Sequence, residues 1–261
     1  MSETRFVDVR RFDTIDSTNR YLLDEARAGA PAGVVAVADH QTAGRGRRGR
    51  TWEAPAGSNL LVSVLLRPSL GADDRHLVTT AVALAAVDAV EALGSAAGAP
   101  VRIKWPNDLL APDGRKVAGV LAEADLGAPP DGPVAPVVVG IGINVNWPGS
   151  DRDLPPGLRG AAASLRQLAG APVDREVLLA ALLAALGPRA EALETPDGRA
   201  RLAEDLRGRC DTLGATVRVE LSDGSFVGTA TGITLQGHLT VDVGGTVRTV
   251  VAGDVVHLRT D

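Results

Sequence analysis

A single cysteine, Cys210, stands among the 261 residues. An internal disulfide and a zinc site built on cysteine pairs are both excluded, and a reducing compartment, the cytoplasm, is expected. No apolar run approaches the roughly 20 residues a membrane-spanning helix needs. The longest, 81–90, is interrupted by Asp88. The opening "MSETRFVDVRRFD" lacks a hydrophobic signal region. Basic residues are outnumbered, 27 Lys and Arg against 32 Asp and Glu, and the net charge of -5 argues against general nucleic-acid binding. The residues before Ser17 are too few for a helix-turn-helix module, so no DNA contact is expected. Aromatics make up only 3%, within an Ala-, Gly-, Val-, Leu- and Arg-rich composition that reads as genomic bias rather than mechanism. His40, His76, His238 and His257 are scattered without ligand spacing and are expected, like Cys210, to be structural.

What is present is a long alternation of strand and helix signals. The strand candidates are 7–15, "GVVAVADH", "NLLVSVLLRP", "VRIKWPNDLL" as far as Pro106, "RKVAGVLAEADL" and "VAPVVVGIGINVNW", the last two expected to be neighbours. Ser17 reads as an N-cap before a short helix with Tyr21, Leu22 and Ala26 inward and Gly29 at its end. "HLVTTAVALAAVDAVEALG" is a helix apolar almost all round, and helical patterns cover 174–193 and 197–209 after a loop at 148–160. From Gly214 the character changes to short alternating strands parted by "SDG", "QG" and "GG", which suggests a small barrel of about five strands.

Against the acidic background, "QTAGRGRRGRTW" (Gln41 to Trp52) concentrates four arginines and three glycines. Gly44, Gly46 and Gly49 spell G-x-G-x-x-G, and Gly44 to Thr51 nearly spells a P-loop with Arg50 where lysine belongs. Both motifs require a following helix, and "TWEAPAGSN", with Pro55 and Gly57, cannot open one. The remaining readings are a solvated basic loop and a mobile loop whose arginines close over an anion. Like-charged arginines and glycines predict a loop at 42–57 that orders only around its ligand. Four further segments favour the anion reading: "DSTN" at a helix start, "KWPNDLL" at a strand end, "KVAGVLAE", and "GIGINVNW" with two bare positions and two asparagines.

In this order the segments "STN", "GRGRRGRTW", "KWPNDLL", "KVAGVL" and "GIGINVN" resemble the biotin protein ligases, from Phe12 to the C-terminus. The resemblance is to the short form, without a DNA-binding module. It implies an α+β fold: a mixed sheet flanked by helices over 1–213, related to class II aminoacyl-tRNA synthetases, then an SH3-like barrel over 214–261. It further implies that biotin and ATP, with Mg2+ carried by the nucleotide rather than by fixed protein ligands, give biotinyl-5′-AMP. The adenylate then acylates a lysine on the biotin carboxyl carrier domain of an acyl-CoA or pyruvate carboxylase. By the same resemblance Ser17, Thr18, Asn19, Gln41, Gly44, Arg45, Gly46, Arg47, Lys116, Gly119 and Gly142 would hold biotin, with Gly140 and Gly142 letting the sheet pass under its rings. Arg47, Arg50, Trp52, Lys104, Asn107, Asp108, Asn144 and Asn146 would hold ATP and the adenylate, with Lys116, Arg47 and Lys104 as the catalytic cations. A monomer or weak homodimer in the cytoplasm is expected. The alternatives are a lipoate ligase of the related fold and a non-catalytic nucleotide- or RNA-binding module.

Overall fold

Period-two alternation assembles the first half of the chain into a seven-stranded sheet. In the computed structural model, which describes residues 5–124 and 135–258 (the side chains of 95 and 96 apart), its strands are β1 (Val9–Ile15), β2 (Val35–Gln41), β3 (Leu60–Leu66), β4 (Arg102–Lys104), β5 (Asp108–Leu110), β6 (Lys116–Ala124) and β7 (Val137–Ile143). Their order is β1-β2-β3-β7-β6-β5-β4, with β1 and β2 parallel and all other neighbours antiparallel, so the sheet is mixed as expected. The strands at 116–124 and 137–143 are adjacent, also as expected. The segment "VRIKWPNDLL" differs: after Pro106 the chain turns back and β5 pairs with β4 as a hairpin. The outer ends of two expected strands, Asp125, Leu126 and Val134, and the C-terminal Arg259, Thr260 and Asp261 lie outside the described residues.

The helices are α1 (Thr18–Arg27), α2 (His76–Ala92), α3 (Leu165–Ala169), α4 (Arg175–Ala192) and α5 (Pro196–Arg209). The all-round apolarity of α2 has a direct cause. It packs on the sheet and is covered in turn by α4 and α5, so almost every side has an apolar neighbour. The short α3 went unread in the sequence, although Ser164 and Gln167 form a capping box at its start.

Alternation gives the sheet two unlike faces. Val35, Val37, Val62, Val64, Val139 and Ile141 point into the main core. Val34, Ala36, Leu65 and Val138 point the other way, against Leu22 and Ala26 of α1. Beyond the reach of α1, the same parity puts Ser63, Gly140, Gly142, Gly119 and Glu123 on this second face. Gly119 lies opposite Gly142, and Gly140 lies opposite Ser63 on one side and Leu121 on the other. Three positions without side chains leave a hollow beside the N-terminus of α1.

The C-terminal strands are β8 (Thr216–Glu220), β9 (Ser225–Ile233), β10 (Leu239–Val243), β11 (Thr246–Val250) and β12 (Asp254–His257). They form one antiparallel sheet in the order β11-β10-β9-β8-β12. Among the described residues no ladder joins β11 to β12, so the five expected strands make an open sheet rather than a closed barrel. The exposure of β11 along most of its length accounts for this edge. The sheet is bound to the rest of the chain through Trp105, which is buried and donates from Nε1 to the Gly237 carbonyl at 3.0 Å. The Trp105 amide donates to Thr212 Oγ1 at 3.0 Å, and His257 Nε2 lies 3.1 Å from the same hydroxyl. No helix among the described residues is long and apolar enough to cross a membrane.

Candidate active site

The hollow holds a small polar pocket of about 30 Å³, lined by Ser17, Thr18, Asn19, Gln41, Arg45, Gly119, Gly142 and others. Ser17 caps α1 and turns the next two side chains onto the bare sheet face. The Thr18 amide donates to Gln41 Oε1 at 2.8 Å, Asn19 Nδ2 donates to Glu123 Oε2 at 2.8 Å, and Ser63 Oγ donates to Asn19 Oδ1 at 2.6 Å. Thr18, Asn19 and Ser63 are all buried. Buried polar groups of this kind persist only when hydrogen-bonded, which makes the network rigid. Trp52 fills the mouth: a Cβ at Gly142 would fall 2.5 Å from Trp52 Cε2. Its indole Nε1 is buried with no protein partner.

The arginine stretch is folded into a tight return. Trp52 donates its amide to Gly44 at 3.0 Å, Gly46 donates to Arg50 at 2.7 Å, and Arg45 bridges Thr51. Gly44 therefore acts in the turn itself, where a side chain would strike the Trp52 carbonyl. Arg48 is held in a left-handed backbone at φ 56°, which costs a non-glycine residue about 1 kcal/mol. Carboxylates from elsewhere in the chain neutralise the arginines, a set of partners that the sequence reading did not include. Arg45 pairs with Glu123 at 2.9 Å. Arg47, Arg48 and Arg50 converge on Asp254 of β12, at 3.3, 3.3 and 2.6 Å.

This loop walls a second cavity of about 690 Å³. Six cations line it, Arg45, Arg47, Arg48, Arg50, Lys104 and Lys116, against four carboxylates, Glu53, Asp108, Glu220 and Asp254, an excess of two positive charges in a chain of net charge -5. Such a cleft draws anions. Lys116 Nζ pairs with Asp108 Oδ1 at 2.7 Å and lies 5.5 Å from the Trp52 ring centroid, within cation–π range. Arg47 donates to Asn107 Oδ1 at 3.0 Å and to the Gly253 carbonyl at 3.1 Å. Asn107 is in turn fixed to Val120 by its Nδ2 at 2.9 Å. Burial pushes the Lys104 ammonium below its ordinary pKa; Asp108 opposes that shift and Lys116 reinforces it. Burial likewise lowers Arg47, but a guanidinium stays charged throughout the working range.

The structure thus gathers most of the residues singled out in the sequence. Gly46, Arg47, Arg50, Lys104, Asn107, Asp108, Lys116 and Asn144 line the larger cavity, and Arg45, Trp52 and Gly119 line both. Trp52 bears on the polar pocket as much as on the cationic cavity, which the sequence reading did not expect. Asn146 lines neither. Its side chain bonds the backbone of Val173 in both directions, at 2.9 Å each, so it clamps the chain ahead of α4 instead of facing a nucleotide. Asn144 is largely occupied too, donating to the Ala163 carbonyl and accepting from Asn59. Ser63, Glu123, Asp254 and Glu220 were missed. Ser63 is the one polar residue in the strand "LLVSVLL", a signal that was available. Among the described residues no three His, Cys, Asp or Glu side chains cluster as metal ligands.

This fold is that of the biotin/lipoate A/B protein ligase family, to which the chain belongs: the family model matches residues 11–144. The model of the biotin protein ligase C-terminal domain matches residues 212–258. Among its relatives, the biotin–[acetyl-CoA-carboxylase] ligase of Mycobacterium tuberculosis is 42% identical over 246 residues, covering 93% of this chain and 86% of that one. The bifunctional ligase/repressor of Bacillus subtilis is 33% identical, covering 93% and 72%. A solved structure of the Aquifex aeolicus biotin protein ligase in complex with biotin and ATP superposes with a TM-score of 0.81 at 26% identity, covering 98% of this chain and 100% of that one.

Proposed function

We propose that this chain joins biotin to a carrier lysine with ATP, through biotinyl-5′-AMP. The observation that carries this reading is a hydrogen-bonding pocket set against a cationic cavity, with Arg45, Trp52 and Gly119 shared between them. A head group enters the polar pocket by displacing the Trp52 indole, which has no hydrogen bond to lose there. Its carboxylate then points toward Lys116. Attack on the α-phosphate forms a C–O–P bond, breaks the α–β phosphoanhydride and releases pyrophosphate. Two anions must meet in this step, so cations at the reacting centre supply the main stabilisation. Lys116 takes that part, with Arg47 and Lys104 on the phosphates. In the second step the carrier lysine's neutral amine attacks the acyl carbon, an amide forms and AMP leaves.

The relatives named for acetyl-CoA carboxylase support a carboxylase carrier as acceptor. Biotin carboxyl carrier domains of acyl-CoA or pyruvate carboxylases are the partners we assign. Mg2+ would accompany ATP as part of the substrate, with Asp108 as the carboxylate on hand beside Lys116. Residues 1–213 act as the catalytic domain and 214–261 as the second domain. The enzyme works in the cytoplasm as a monomer or weak homodimer without binding DNA. ATP–pyrophosphate exchange with biotin, with lipoate and with neither tests the reading. Exchange dependent on biotin is the expected result, and exchange with lipoate alone would reassign the enzyme.

A further inference from the structure

The six cations of the larger cavity are not held alike. Arg45, Arg47, Arg48, Arg50 and Lys116 each pair with a carboxylate at 3.3 Å or less. Among the described residues Lys104 pairs with none. Asp108, opposite it in the β4–β5 hairpin, is engaged by Lys116 instead. With no partner to aim its side chain, the Lys104 ammonium stands where the backbone puts it. That backbone is gripped from outside the hairpin on both sides. Ahead of Lys104, the Ile103 carbonyl accepts from the Asp211 amide at 2.7 Å, and Ile103 bridges Cys210 in parallel register. After it, the Trp105 amide donates to Thr212 Oγ1 at 3.0 Å. Three consecutive residues, 210–212, thus hold both neighbours of the unpaired lysine just before the chain enters β8. The first grip is backbone to backbone and indifferent to side chain. The second depends on one fully buried hydroxyl. An amide N–H can only donate, so Thr212 Oγ1 accepts there. Its single proton is left for His257 Nε2 of β12, 3.1 Å away, or for the neighbouring Cys210 thiol. Either choice leaves a lone pair on the Trp105 amide.

We propose that Thr212 is a positioning residue for the reaction: through the Trp105 amide, its hydroxyl sets where Lys104 meets the phosphates of ATP. This rests on the reading that puts Lys104 on the phosphates, and it gives the joint with the second sheet a part in the chemistry. A displacement of about 1 Å at a reacting centre costs up to about a hundredfold in rate, so one lost backbone anchor beside a cation is felt there.

The test is ATP–pyrophosphate exchange by the full chain, with biotin and ATP varied in turn. Biotin dependence of the wild type is read first, so failure of the substrate reading is seen separately. Thr212→Val keeps the shape of the side chain and removes the acceptor. It should lower kcat/KM for ATP about tenfold and leave the KM for biotin within about twofold. Thr212→Ser restores the acceptor and should return ATP use to within about twofold of the wild type. In a Lys104→Ala background, itself slower by about a hundredfold, Thr212→Val should cost less than about twofold more, because residues acting through one contact are not additive. A merely structural joint would lower the melting temperature and cost the same factor in both backgrounds. Unchanged ATP use by a folded Thr212→Val protein, equal losses in the two backgrounds, or full activity of Lys104→Ala each overturns the proposal. If the valine variant does not fold, Thr212→Ala, which sets no methyl against the Trp105 amide, is read by the same three outcomes.

Discussion

The two cavities sit side by side and are built on opposite principles. The small pocket has one charged side chain, Arg45, in its lining and is made mostly by neighbouring strands of one sheet and the start of α1. Its polar side chains are hydrogen-bonded to one another within the protein. The larger cavity is charged and half open, and its walls come from both parts of the chain, with Asp254 supplied from the second sheet. A neutral head group is recognised by geometry, which one rigid sheet can provide. Charge developing on phosphate is met by bringing many cations together, which needs loops and a second domain. The difference predicts that the two cavities can be damaged separately.

The sharpest separation comes from Lys116. Lys116→Ala should lower biotin-dependent pyrophosphate exchange by about 10²–10³-fold, the usual loss when a stabilising group at a reacting centre is removed. Its melting temperature should stay close to wild type. Near-normal exchange by the folded variant would show that Lys116 does not act at the reacting phosphate.

Acidification should strike the larger cavity first. His76 is buried against Trp105, 5.4 Å between centroids, with His238 at 6.2 Å. Burial, aided by the charges of His238 and Arg47, pushes its pKa down to about 4 from an ordinary 6.5. The folded state therefore binds this proton less readily than the unfolded state. Stability is unaffected by this group above pH 6.5 and falls as pH drops from there to about 4, by at most about 3 kcal/mol. His76 lies at the joint with the second sheet, so ATP binding should fail before biotin binding over that range. His76→Phe should flatten the pH dependence of unfolding; an unchanged slope would place the titration elsewhere.

Arg47→Gly removes charge-assisted bonds to Asn107 and Gly253 and a cation from the loop that walls the larger cavity. Loss of one such bond corresponds to about tenfold or more in retention. Released biotinyl-AMP and labelling of bystander proteins should rise by about that factor, measured by mass spectrometry of an added inert protein. Labelling confined to the carrier would show that Arg47 does not help retain the adenylate.

The smallest effect is expected at Asp254, whose pairs are partly exposed and screened. Asp254→Asn should speed amide exchange across 42–57 by about three- to tenfold in the protein without ligands, and much less with the adenylate bound. Equal protection in variant and wild type would mean that the loop's own turn, not the second sheet, holds it closed.

The legible parts of this site were those whose signal is local. The N-cap at Ser17, the parity of the strands, and the bare positions 119, 140 and 142 are all set by residues a few places apart. The cations of the arginine stretch declared themselves as a cluster. Asn146 misled because an asparagine in a glycine-rich strand end looks free; its bond to Val173 spans 27 residues. Ser63 stood out as the one polar residue of an apolar strand, but only the fold shows that Asn19 and Thr18 are its partners.

By itself the sequence determined which chemistry was available: the glycines, the hydrogen-bonding triplet at 17–19, the lysines at 104 and 116, and the alternation that sorts them onto faces. Only the tertiary structure decided which face was left bare, how the five C-terminal strands ended in an open sheet, and which carboxylates meet the arginines. Arg48 and Asp254 stand 206 positions apart. Alternation follows from backbone geometry that each short segment carries within itself. Charge pairing and hydrogen bonding across the chain depend on distances of a few ångströms between segments, and those distances exist only once the chain has folded.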